Sequence, residues 1–182
     1  MAKRFKELKE KQIEFIKQQH IFFVGTAGAE GTLNVSPKGM DTLRVVNERK
    51  VVWLNLTGSG NETSVHVQEN GRMTLMFCSF EKLPLILRLY GKANVIHNRD
   101  SKWKELSSLF DEYVGARQFF KLNVELVQTS CGFGVPFFEY RGERESMIKW
   151  AKSRGRDGIE EWWKEKNQIS LDGKPTNILK NA

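Results

Sequence analysis

From residue 21 to residue 130 the chain alternates strand-like apolar runs with short polar breaks. Ile21 to Thr26 is β-branched and aromatic, Ala27-Gly-Ala-Glu-Gly31 supplies a turn, and Thr32 to Val35 leads into Ser36-Pro-Lys-Gly39. Leu43 to Val46 and Val51 to Leu56 flank Asn47-Glu-Arg-Lys50, which has the look of a hairpin turn. Further strands are predicted at Met73 to Phe77, Leu85 to Ile96 and Phe119 to Gln128. Helical spacing marks other stretches. Phe5, Leu8, Ile13 and Ile16 predict an amphipathic helix over Met1 to Gln19, and further helices are expected at Glu62 to Glu69 and Ser101 to Tyr113. The last forty residues predict two helical pieces, Ser146 to Ser153 and Gly158 to Lys166, before a polar tail.

The links between strands are of hairpin length, which favours antiparallel pairing over βαβ crossovers. The expected fold is therefore mainly β with peripheral helices, a small Greek-key-like antiparallel barrel. No repeat and no long linker divides the chain. Residues 1–182 are expected to form a single domain, with a core at about 20–140 and a helical C-terminal extension at about 141–182.

One segment carries candidate chemistry. Val51 to Leu56 runs into Thr57-Gly-Ser-Gly-Asn61 and then into the helix beginning at Glu62. A strand, a small-residue loop and a helix start in succession can bind an anion, because the first helical N–H groups lack internal partners and carry partial positive charge. Gly58 and Gly60 permit close backbone approach, and Thr57, Ser59 and Thr63 offer hydroxyls. The alternative is an ordinary turn with an N-cap at Ser59 or Asn61. The loop is neither a P-loop, having no Lys before the Ser or Thr of the helix start, nor a dinucleotide fingerprint, whose third glycine position holds Thr63.

Composition narrows the class. Of the 182 residues 40% are hydrophobic, enough for a core of substantial size. Met1 to Gln19 is charged throughout, unlike a signal peptide, and runs such as Leu83 to Leu87 are too short to cross a bilayer. Cys78 and Cys131 lie far apart with no CxxC, which suggests reduced thiols and a cytoplasmic protein with no metal site. The formal charge of +7 is dispersed, without a basic block or interleaved aromatics, and so points to small anionic ligands rather than nucleic acid.

Several short segments, taken in order, resemble the flavin-binding split β-barrels related to pyridoxamine 5'-phosphate oxidase. They are Asn34-Val-Ser-Pro-Lys-Gly39, Leu56-Thr-Gly-Ser-Gly-Asn-Glu-Thr63, Glu69-Asn-Gly-Arg72, Leu87-Arg-Leu-Tyr-Gly91 and Gln128-Thr-Ser-Cys-Gly-Phe-Gly-Val-Pro136. The resemblance spans about residues 20–140 and implies a homodimer with FMN in the grooves between subunits. Carried over by position, it assigns the phosphate side to Thr57, Gly58, Ser59, Gly60, Asn61 and Thr63, the strand beside the ring to Ser36, Pro37 and Lys38, and a polar cofactor contact to Arg88. It departs from the oxidase proper in two places. Asn61-Glu-Thr63 replaces a Ser-Arg-Lys-like run, and no Arg follows Arg156 to furnish the oxidase's C-terminal segment for pyridoxal phosphate.

Outside those segments nothing forms a catalytic constellation. Arg88 interrupts an apolar strand and must meet an anion or an edge. His20, His66 and His97 are scattered, no base lies near Cys131 in the sequence, and Trp150, Trp162 and Trp163 suit helix faces packed on the barrel. A flavin supplies redox chemistry without a protein nucleophile, so the sequence leads to a flavin-dependent oxidoreductase of a small substrate. The alternatives are a flavin or haem carrier without turnover, a deazaflavin binder, or a basic nucleic-acid-binding barrel.

Overall fold

The structure is a computed structural model and describes residues 2–180. Its centre is an eight-stranded antiparallel sheet ordered β3-β2-β6-β7-β8-β5-β4, with β1 added beside β8. The strands are β1 (Lys3–Phe5), β2 (Phe22–Ala27), β3 (Leu33–Lys38), β4 (Leu43–Asn47), β5 (Lys50–Leu56), β6 (Arg72–Cys78), β7 (Ile86–His97) and β8 (Ala116–Ser130). The helices are α1 (Glu10–Lys17), α2 (Glu62–Asn70), α3 (Trp103–Ser107) and α4 (Ser146–Lys166).

The expected strands all form, and every pair is antiparallel. Two long strands hold the sheet together, because β7 and β8 pair from Ile86↔Ser130 to His97↔Gln118. Bulges at Tyr90/Gly91 and at Asn55/Leu56 bend them. At the first, a Cβ on Gly91 would collide with the Asn123 carbonyl, so only glycine lets the two backbones come so close. The bending brings distant strands onto one core. Phe22 of β2 and Trp53 of β5 are far apart in the strand order, yet their rings meet edge to face at 6.2 Å, and Trp53 stacks on Phe120 at 4.8 Å. Val24, Leu75, Leu87, Leu89, Leu122 and Val127 fill the same core.

Two helical expectations need correction. Where a helix over Met1 to Gln19 is expected, the described residues, which leave out Met1, form a strand followed by a shorter helix. β5 pairs with β8 only as far as Asn123, and β1 supplies the ladder for Val127–Thr129 beyond it. α1 then begins where Gln12 Oε1 accepts the Lys9 N–H at 2.8 Å, and it buries Ile16. The helix expected over 101–113 is one turn, Trp103–Ser107. The two expected C-terminal pieces do form: α4 is two helical stretches on either side of Gly155, whose φ of 65° and ψ of -179° are not helical.

Among the described residues, no helix is long and apolar enough to cross a membrane. Cys78 is buried, Cys131 is exposed, and both are free thiols.

Candidate functional site

The loop between β5 and α2 is built from below and closed from outside. Its first residue, Thr57, ends β5 by bonding to Gly115: the backbone N–H at 2.7 Å and the hydroxyl at 2.9 Å both donate to that carbonyl. The Thr57 hydroxyl also accepts the Trp163 indole N–H at 2.9 Å. Beneath the loop lies Arg117, only 4% exposed. Its guanidinium donates to Asn55 Oδ1 from Nε at 3.0 Å and from Nη2 at 2.6 Å, and to the carbonyls of Gly58 at 3.3 Å and Gly60 at 2.8 Å. Burial holds the guanidinium pKa down to about 10, against the opposing pull of the Glu62 carboxylate. It therefore stays charged, and its hydrogen bonds go only to neutral oxygens.

The far end of the loop belongs to the C-terminal segment. Asn61 holds the N-cap position of α2, but its side chain does not cap the helix. Its amide donates to the carbonyls of Lys166 at 3.0 Å and Ile169 at 2.9 Å, and its Oδ1 accepts from Asn167 Nδ2 at 2.9 Å. Glu62 folds back over the helix start, where its carboxylate accepts the N–H of Asn61 at 3.0 Å and of Leu171 at 3.2 Å. Thr63 accepts the Asn34 amide at 3.0 Å. The partial positive charge of the helix start is thus already met by a carboxylate of the chain itself.

The near end opens onto a cleft of about 1210 Å³. Pro37, Lys38, Thr57 and Gly58 form one wall, and Tyr140, Met147, Trp150 and Trp162 from the C-terminal region form the other. The irregular arm before α4 is pinned where Tyr140 stacks on His20, ring centroids 3.6 Å apart and planes 2° from parallel. A second tie joins the Phe138 N–H to the Phe80 carbonyl at 3.3 Å. Behind the wall, Arg154 lies 5.1 Å from the Trp150 ring centroid and 4.8 Å from that of Trp162. The Trp162 indole N–H is buried and has no acceptor among the described residues.

Lys38 is the desolvated cation of this cleft, whose exposed parts also carry Arg144 and the carboxylates of Glu81, Glu139 and Glu143. It is half-buried at the end of β3, its Nζ lies 5.3 Å from the Trp53 ring centroid, and it makes no hydrogen bond or ion pair among the described residues. Burial, and then the charge of Arg117, hold its ammonium down to about 8, with Glu62 pulling the other way.

Of the residues singled out in the sequence, Pro37, Lys38, Thr57 and Gly58 meet at the cleft. Ser36 lies two positions before it on β3, opposite Val24. Ser59 and Gly60 form the exposed crest of the loop, while Asn61 and Thr63 are buried behind it. Arg88 lies elsewhere, on the other face of the sheet from Leu87 and Leu89, and donates to Ser130 Oγ at 3.1 Å. Sequence reasoning missed Arg117, which stands two residues before the strand expected from Phe119. It also missed Asn167, for which no local pattern gave a signal. No group of three metal-ligating side chains occurs among the described residues.

A family profile described as pyridoxamine 5'-phosphate oxidase matches residues 8–131. The chain belongs to the pyridoxamine 5'-phosphate oxidase family. Within that family it is 34% identical over 189 residues to the family protein ustO of Aspergillus flavus, an alignment covering 94% of this chain and 76% of that one. Crystal structures share the fold at lower identity. The HupZ protein of Group A Streptococcus superposes with a TM-score of 0.52 at 20% identity, over 65% of this chain and 91% of its own. A candidate pyridoxamine 5'-phosphate oxidase of Lactobacillus delbrueckii gives 0.53 at 20% identity, over 68% and 94%. The profile ends near Cys131, so the arm and α4 that wall the cleft lie beyond the part of this family member that the profile describes.

The residues of the cleft suit a flavin better than those of the helix start do. A flat, largely apolar ring system matches walls of Pro37, Trp150 and Trp162, and an anionic or electron-rich edge matches Lys38. At the start of α2 a phosphate would meet the Glu62 carboxylate instead.

Proposed function

We propose that the protein is a flavin-dependent oxidoreductase acting on a small substrate, with FMN bound in the cleft between β3, the Thr57–Gly58 turn and α4. The observation that carries this is the single desolvated ammonium of Lys38, without an anionic partner, in the wall of an apolar cleft of about 1210 Å³. Membership of the family supports the cofactor class. The flavin would supply the electron or hydride transfer. The chain's part is to orient it: Lys38 and the charge of Arg117 favour an anionic group, the Thr57 and Gly58 backbone lies alongside, and Trp150 and Trp162 exclude water from the opposite side.

The same reading includes a split barrel paired as a homodimer. The curvature that lets Phe22 meet Trp53 supports closure of the sheet. The apolar edge strand β3, where Leu33 is 80% and Val35 71% exposed, supports its covering by a second copy. The chain then acts as a single unit over residues 1–182, because α4 supplies a wall of the cleft. Two free cysteines fit a reducing cytoplasmic setting.

The absorption spectrum of the freshly purified protein tests the proposal. The expected result is the two-banded flavin spectrum, with free FMN released on denaturation. Protein that is colourless and takes up no added FMN would overturn it, and a haem spectrum would replace it with the haem-carrier alternative.

A further inference from the structure

Lys38 is equipped for more than attracting an anion. A lysine on the surface keeps its proton because water solvates the charge, and at neutral pH fewer than about one in a thousand is a free amine. Lys38 has lost much of that solvation. Its ammonium lies against the Trp53 ring at 5.3 Å, and Phe22 of β2 stands opposite it in the sheet register. Arg117 of β8 adds a like charge whose own hydrogen bonds go only to neutral oxygens, and the opposing group is the Glu62 carboxylate of α2, already engaged by two backbone N–H groups. With its pKa near 8, roughly a tenth of Lys38 is neutral at pH 7. Apolar surroundings together with a neighbouring cation are a recognised means of turning a lysine into a nucleophile.

Access is provided as well. Lys38 lies in the wall of the cleft, and a Cβ placed on Gly58 in the same wall would meet nothing within 4 Å. The volume exceeds what one drug-sized ligand needs, which leaves room for a second small molecule.

We propose that Lys38 captures an aldehyde or ketone in this cleft as an imine. The neutral Nζ adds to the carbonyl carbon to give a carbinolamine. The carbonyl oxygen then departs as water with the two protons that Nζ gives up, and a C=N bond replaces C=O. Nothing is oxidised or reduced, and no further reactant is required. Arg117 acts as a positioning residue, its like charge adding to burial in weakening the hold of Lys38 on its proton. The proposal rests on the cleft being a ligand site but not on the ligand's being a flavin.

The test uses benzaldehyde as the probe, with sodium cyanoborohydride to trap the imine and peptide mass spectrometry to locate it. The protein is labelled as purified, with its flavin content measured, and again after flavin removal. Adduct should appear first at Lys38, with at least about a tenfold preference over the exposed lysines, and its rate should rise with pH around a midpoint near 8. Lys38→Met and the charge-preserving Lys38→Arg should both remove that fast-labelling site. Adduct spread evenly over the lysines, or labelling unchanged in Lys38→Met, would overturn the proposal. Labelling at Lys38 in protein that never binds FMN would uphold it while the flavin reading falls. A flavin-binding protein whose flavin-free form leaves Lys38 unlabelled would do the reverse.

Discussion

Asn167 and Asn61 hold the two ends of the functional region together. Asn167 is fully buried, and its amide donates at 2.9 Å both to Asn61 Oδ1 and to the Gly58 carbonyl, so one side chain grips the loop at both ends. Asn61 returns two bonds to the carbonyls of Lys166 and Ile169. Thr176 adds a hydroxyl donated to the Asn167 carbonyl at 2.6 Å. The loop that opens onto the cleft therefore takes its shape from a segment more than a hundred residues further along the chain.

Replacing Asn167 by Leu keeps the bulk and leaves Asn61 Oδ1 without a donor, while the Gly58 carbonyl keeps only its 3.3 Å bond from Arg117. With unsatisfied buried acceptors costing about 1–3 kcal/mol each, the variant should lose about 2–4 kcal/mol of stability. Urea unfolding monitored by circular dichroism measures it. Gln168→Ala next door, at an exposed residue, should stay within about 0.5 kcal/mol of the parent.

Arg117→Lys is expected to behave as a severe change despite its conserved charge. A lysine lacks the planar fork that reaches Asn55, Gly58 and Gly60 together. The expected loss is about 2–4 kcal/mol, since several buried oxygens would each lose a charged donor. Thermal and urea unfolding check it, and a loss below about 0.5 kcal/mol would remove Arg117 as the support of the loop.

Lys38→Met should stabilise the fold, and by an amount that depends on pH. The folded-state pKa is lowered to about 8, below its unfolded value, so the unfolded chain binds more protons between about pH 8 and 10.5. Below pH 8 the penalty of burying the charged ammonium is fully present, and it is relieved as pH rises through that window. The advantage of Lys38→Met over wild type should accordingly be largest at pH 7 and shrink by pH 10. Paired urea titrations at the two pH values decide this, and a difference independent of pH would contradict the desolvation of Lys38.

Thr63→Val removes the acceptor of the Asn34 amide, a bond contributing about 1 kcal/mol, and should lower stability by that order. It should not separate FMN from riboflavin, because Thr63 is buried behind the loop and the desolvated cation of the cleft is Lys38. Fluorescence titrations should give shifts that agree for the two flavins within about threefold, equivalent to about 0.6 kcal/mol. A selective loss of FMN would put the phosphate at the start of α2.

Val35→Glu places a charge on the exposed, apolar edge strand and touches no buried group. If β3 lies in a contact between copies, light scattering should show wild type as a dimer at micromolar concentration and the variant as a monomer with unchanged circular dichroism. A monomeric wild type would remove the homodimer from the proposed function.

The strands were legible because each is a local pattern: an apolar run stopped by a turn sequence such as Asn70-Gly71, where Gly71 takes a φ of 73° at the end of α2. The small-residue loop and the start of α2 at Glu62 were legible for the same reason. Thr57 and Gly58 came from the pattern of the loop, Pro37 and Lys38 from the family resemblance, and the fold brings those four to one cleft.

Local pattern could not choose between Arg88 and Arg117. Arg88 interrupts an apolar strand, and Arg117 stands two residues before another. Only the register of β8 against β5, with Asn55 opposite Gln118, turns Arg117 under the loop, whereas the register of β7 turns Arg88 towards Ser130. Nor could it show that Lys3–Phe5 would complete the ladder of β8, or that Asn167 would reach back to Asn61. The sequence by itself determined the strands from β2 to β8 and the start of α2, since backbone propensity and turn chemistry act between neighbours. The tertiary structure alone decided which charges are desolvated and which helix donors are taken. Burial and hydrogen-bond partnership depend on groups far apart in the chain, and periodicity carries no information about them.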